Sequence, residues 1–186
     1  MKRLLVLALV AVAGSSYALV VNGGFESNAS LPATGWTTVN ADAFAGISTS
    51  AVNAHSGDNC LFLGAPTANP MDELSQTLAT TAGTAYAVTF WGRQSGGNAT
   101  NSNSVVTFDG QTVFSGIMDS TWTQHTSTIV ASSNSSILDL ASWNSPSFAF
   151  FDDFSVTPVP EPASMVVLGA GALALMLRRR NGKQAG

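Results

Sequence analysis

The chain has 186 residues, of which 45% are hydrophobic and only 10% charged, with one cysteine and a formal charge of −4. Six of the seven basic residues sit at the two ends, and between residues 19 and 158 Arg93 stands against ten acidic side chains, a balance that repels phosphate backbones and argues against nucleic acid as a partner. A lone cysteine allows no intramolecular disulfide, so the fold has to be held by packing.

In chain order, Met1-Lys2-Arg3 precedes an apolar run over residues 4–13 and a small-residue stretch ending at Ala18. This is the order of a Sec signal peptide over residues 1–18, with a cut before Leu19; the apolar run is too short to span a bilayer comfortably. The next segment, residues 19–157, has the length of one domain and can bury a proper core. It is rich in Ser, Thr, Asn and Gly, and its β-branched and aromatic runs are bounded by turn residues, so an all-β fold is predicted.

Nine strands are expected, near residues 42–48, 59–64, 73–78, 85–94, 104–109, 111–115, 121–131, 136–143 and 148–156, packed as a two-sheet sandwich. Asp109-Gly110 between two alternating runs predicts a tight type I′ hairpin, because both central positions need positive φ. Cys60, inside Asn59-Cys60-Leu61-Phe62-Leu63, reads as an inert buried thiol.

After the last strand, Thr157 to Pro160 form a stiff linker into the final segment, residues 158–186. There Pro160-Glu161-Pro162 leads into fifteen uncharged residues, 163–177, and then Arg178-Arg179-Arg180. A helix of that run spans roughly 22 Å at about 1.5 Å per residue, short of the ~30 Å hydrocarbon core, and the arginines stay on the cytoplasmic side. The order of Pro-Glu-Pro, short apolar helix and basic cluster resembles the PEP-CTERM sorting signal of Gram-negative bacteria. The resemblance implies a transient inner-membrane anchor, recognition by an exosortase-type enzyme, cleavage near Pro160-Glu161-Pro162, and release to the cell surface or extracellular polymer matrix. The alternative is a permanently anchored single-pass adhesin.

Other stretches resemble the galactose-binding-like jelly roll: Asn22-Gly23-Gly24-Phe25-Glu26, Trp36, His55-Ser56-Gly57-Asp58-Asn59, Tyr86 to Trp91, Thr121-Trp122-Thr123-Gln124, and Phe151-Asp152-Asp153-Phe154-Ser155-Val156. That superfamily includes many carbohydrate-binding modules. The resemblance implies that the N-terminal segment lies beside the last strand, and that a structural Ca²⁺ joins them through Glu26 and one of Asp152 and Asp153, with carbonyls near residues 55–58. Strand alternation sends Asp152 and Asp153 to opposite faces, so one of them at most should reach the ion.

A sugar binder stacks flat aromatic faces on pyranose rings. Trp36, in a Gly/Thr loop, and Trp143, before Asn144-Ser145-Pro146, are the tryptophans expected at the surface; with Arg93 and Asn144 they would form a polar-aromatic cleft for polysaccharide. An enzyme finds little support. There is no Gly-x-Ser-x-Gly elbow and no His-Glu-x-x-His, and the pairs Asp72-Glu73 and Asp152-Asp153 are strand neighbours that point apart. A glycoside hydrolase or lyase would need Asp58, Asp72, Asp119 or Asp139 brought together across the fold. The expectation is therefore an exported, non-catalytic module that binds glycan or serves as a matrix component.

Overall fold

The computed structural model describes residues 18–98 and 100–160. Tyr17–Pro158 forms one compact unit. The expected signal peptide, Glu161, Pro162, the apolar run and Arg178 to Arg180 lie outside the described residues.

Ten strands are present: β1 (Thr37–Asn40), β2 (Gly46–Ser48), β3 (Cys60–Leu63), β4 (Asp72–Ala79), β5 (Ala85–Ser95), β6 (Ser102–Phe108), β7 (Gln111–Gly116), β8 (Thr123–Val130), β9 (Ser135–Asn144) and β10 (Phe148–Pro158). They form two five-stranded antiparallel sheets, ordered β1-β4-β9-β6-β7 (sheet A) and β2-β3-β10-β5-β8 (sheet B). All nine expected strands exist. The first is shorter than expected, because residues 42–45 close a turn in which Asp42 accepts from the amides of Phe44 and Ala45. β1 was missed: Thr-Thr-Val-Asn is a half-exposed edge strand with no apolar alternation to reveal it.

The core follows from period-two alternation. Leu74 and Leu78 of β4, Leu138 and Leu140 of β9, and Val106 and Phe108 of β6 point inward from sheet A. Val88 and Phe90 of β5, Leu61 and Leu63 of β3, and Phe151, Phe154 and Val156 of β10 meet them from sheet B. Phe90 stacks on Phe154 with ring centroids 5.1 Å apart. At Asp109-Gly110 φ is 53° and 71°, as the tight hairpin requires, and Phe108 pairs with Gln111 across it. Cys60 is buried, and that burial pushes its thiol up to about 12, as an inert cysteine requires.

The N-terminal segment lies along β10, as the resemblance implied. The Leu19 amide donates to Val156 O, and the Phe154 amide to Gly23 O. Gln76, buried in β4, clasps the same segment: its Oε1 accepts from the Val21 amide at 2.7 Å and its Nε2 donates to Val21 O at 3.0 Å.

Candidate functional site

The first constellation is a carboxylate corner where residues 22–26, the turn at residues 55–59 and the middle of β10 meet. Phe25 has φ of 58°, which drops its ring into the core against Trp36 and Phe154 and leaves Glu26 facing the turn. Glu26 Oε1 accepts from the Asp58 and Asn59 amides, both at 3.0 Å. A Cβ on Gly57, where φ is 61°, would collide with that carboxylate, so glycine is required there.

The expectation that Asp152 and Asp153 diverge is overturned. The β10–β5 register shifts between Asp152 and Ser155, and Asp153 takes φ of 50°. This bulge breaks the alternation and turns both carboxylates to one turn. Asp152 Oδ2 accepts from the amides of His55 (2.9 Å) and Ser56 (3.2 Å), while Asp153 accepts from His55 Nδ1 at 2.6 Å and Ser56 Oγ at 2.8 Å. Both also converge on Gly24, where a Cβ would lie 3.3 Å from Asp153 Oδ1 and 3.5 Å from Asp152 Oδ1. Burial, helped by the neighbouring Asp153 charge, lifts Asp152 to about 6 against the bonds it accepts. Three hard oxygen donors at a partly dehydrated corner have the chemistry of a Ca²⁺ set. Among the described residues, however, no three His, Cys, Asp or Glu side chains stand in a metal-holding arrangement, since these oxygens are turned to N–H and O–H donors.

The expected aromatic cleft does not form. Trp36 is 5% exposed; it stacks on Phe25 at 5.4 Å, meets Phe154 edge-on, and donates its Nε1–H to Asn22 O. It is a core residue because its loop folds inward onto the Phe25 ring. Asn144 is fully buried on the inner face of β9, where its Nδ2 donates to Gly96 O and its Oδ1 has no partner. Trp143 and Arg93 are half-buried on the outer faces of opposite sheets. One residue of the notional cleft thus lies on each outer face and two lie inside.

The outer face of sheet A is the second constellation. Trp143 of β9 stands opposite Asn103 of β6. Beside them Ala141 is flanked by Glu73 and Val105, and Asp139 by Ser75 and Thr107. Short side chains thus leave an open floor next to the indole. On that floor, among the described residues, Asp139 Oδ1 is buried without a hydrogen-bond partner, and burial together with the nearby Glu73 charge lifts Asp139 to about 6. Asp72, Glu73's neighbour, points inward as alternation requires and accepts from the Asp42 and Gly64 amides. Sequence reasoning missed Asn103 and the Glu73–Asp139 pair, because outward alternation is readable within one strand but the β4–β9–β6 register is not.

The outer face of sheet B holds the third. Arg93 of β5 is paired in register with Phe150 of β10, and its guanidinium carbon lies 4.2 Å from the Phe150 ring centre and 5.3 Å from that of Trp122. His55 stacks on Trp91 at 3.8 Å and meets Trp122 edge-on at 5.7 Å.

Residues 158–180 match the PEP-CTERM protein-sorting motif, which marks bacterial proteins for export and exosortase-mediated sorting to the surface. None of the curated proteins matches the chain significantly. Among solved structures the domain is similar to a family 61 carbohydrate-binding module in complex with β-1,4-galactotriose, at 18% identity over 77% of this chain and 100% of that one, with a TM-score of 0.59. It is also similar to a family 16 carbohydrate-binding module (16% identity, 74% of this chain and 98% of that one, TM-score 0.54). A third is the C-terminal family 22 carbohydrate-binding module of Clostridium thermocellum Xyn10B (15% identity, 75% and 94%, TM-score 0.54). At these identities the likeness is one of fold. The chain joins a PEP-CTERM sorting motif to a domain with the jelly-roll fold of carbohydrate-binding modules.

Proposed function

We propose that the domain is a non-catalytic glycan-binding module of an exported, exosortase-processed protein of the bacterial surface or extracellular matrix, and that a neutral glycan lies on the outer face of sheet A across Trp143. The observation carrying this reading is the half-exposed indole beside a floor of Ala141, Val105 and Ser75, with Asn103 and the Glu73–Asp139 pair at hand to bond sugar hydroxyls. A pyranose needs such a surface: one flat apolar face to stack on, and polar groups at its edge.

We further propose that Glu26, Asp152 and Asp153 hold a structural Ca²⁺ that ties the N-terminal segment to β10. The ion would supply positive charge to three carboxylates that pair with no Lys or Arg among the described residues, and would have no role in chemistry. The reading of the tail is a transient inner-membrane anchor cut near Pro160, so that the sandwich leaves the membrane.

A glycan array probed with the protein and with Trp143→Ala tests the main claim. Binding that drops at least about tenfold in the variant, with an unchanged melting temperature, is expected. No glycan bound by the parent protein, or equal binding by the two, overturns it.

A further inference from the structure

We infer that the outer face of sheet B carries a second glycan site, built on Arg93 and Trp122, that takes a sugar bearing an isolated carboxylate, such as a chain-terminal uronic acid. This rests on the glycan-binding reading above, but uses the opposite sheet and a different chemistry.

Arg93 is the one Lys or Arg between residues 19 and 158, in a stretch with ten acids. Yet among the described residues it makes no ion pair; the one ion pair there joins His55 to Asp153. The nearby carboxylates are engaged elsewhere, Asp152 by backbone amides and Asp153 by His55 and Ser56. Of the five N–H donors of a guanidinium, Arg93 uses only those on one nitrogen, in two long bonds of 3.4 Å from Nη2 to Asn53 O and Oδ1. Among the described residues no acceptor meets Nε or Nη1, and neither is enclosed. A half-buried charge without a counter-charge is costly, and this one is offset by two cation–π contacts, its guanidinium carbon lying over the Phe150 and Trp122 rings. The result is a preorganised fork with donors free, the geometry that a carboxylate meets with two parallel hydrogen bonds.

Trp122 makes the site one for a sugar rather than for any carboxylate. Part-exposed, it is contacted by the Arg93 guanidinium and, edge-on, by the His55 ring, and His55 is itself stacked on Trp91. A pyranose stacked on this indole sets its ring carboxylate beside the guanidinium. His55 Nδ1 hydrogen-bonds the Asp153 carboxylate, which leaves Nε2 as the ring nitrogen to meet a sugar hydroxyl. The charge of the surrounding domain selects the ligand further. A surface with ten acids repels a dense polyanion, and only a sparse negative charge reaches Arg93 without that opposition.

The test titrates the full chain in detergent with a glucuronate-terminated oligosaccharide, with its neutral glucose-terminated counterpart and with acetate, following tryptophan fluorescence and calorimetry. The acidic oligosaccharide should bind at least about tenfold tighter than the neutral one. Arg93→Gln and Trp122→Ala should both abolish that preference, and Arg93→Lys should keep only part of it, since an ammonium offers charge without the fork. Trp143→Ala should leave the acidic ligand bound while losing the neutral glycan. Melting curves identify any variant that fails to fold, and the ligand preference of the parent protein needs no variant at all. Equal binding of the acidic and neutral sugars, or acetate competing at the same concentration as the acidic sugar, overturns the inference and leaves the glycan reading standing. Binding of neither sugar to the parent protein defeats that reading, and this inference with it.

Discussion

Four tryptophans of similar local sequence divide into different roles once their neighbours are known. Trp36 and Trp143 both stand beside short polar residues, yet one lies in the core against Phe25 and Phe154 and the other stands on an outer face. Trp36→Ala should cost about 3–5 kcal/mol, seen as a large fall in the denaturation midpoint, because it removes a packed ring and a hydrogen bond to Asn22 O. Trp143→Ala should cost clearly less than Trp36→Ala, since the Trp143 indole is only part-buried on an outer face. Comparable losses in the two would contradict their assignment. At the corner, Glu26→Gln keeps the shape of the acceptor but loses its charge toward two amides. A loss of about 1–2 kcal/mol is expected by denaturant melts.

Among the elements, β4 and β9 set the pH response. They place Glu73 against Asp139, whose folded-state value is raised from 3.8 to about 6 by burial first and by Glu73 second. A carboxyl raised in this way holds its proton more tightly in the native state. Its contribution is therefore most favourable below about 4 and is lost as pH rises through about 6. Asp152 shifts the same way, so both act in one window. Asp139→Asn should raise the melting temperature at pH 7.5 by roughly 3 °C, after allowance for solvent screening of a half-exposed group, and leave it unchanged at pH 4. An equal shift at both values would show that packing, not ionisation, is responsible. The β6–β7 hairpin offers a backbone counterpart: at Gly110, where φ is 71° and nothing crowds the site, alanine should cost about 1 kcal/mol through conformation alone, as read by the melting midpoint.

At the scale of the whole molecule, the N-terminal segment is held to β10 by backbone bonds and by the Glu26, Asp152 and His55 network. A cation there binds only the folded chain, so millimolar Ca²⁺ should raise the melting temperature and a chelator should lower it; no change with either would remove the proposed ion. Intact-mass analysis of the protein recovered from cells should find residues 163–186 missing, and a full-length C-terminus at the surface would defeat processing. The C-terminal sorting motif, the all-β class, nine strands and the Asp109-Gly110 turn were legible in the residues themselves, because motif order, period-two alternation and positive-φ turn pairs are local properties of a chain. The resemblance of the Asn22 to Glu26 and Asp152-Asp153 stretches also pointed to the corner where they meet. Register, and with it which side chains share a face, is not local. The bulge that aims Asp152 and Asp153 together, the meeting of Glu73 with Asp139, the burial of Trp36 and Asn144, and the separation of Trp143 from Arg93 onto opposite sheets all depend on partners many residues away. Only the packed sandwich decides them, since the same alternating strand can present either face until its neighbours bury one.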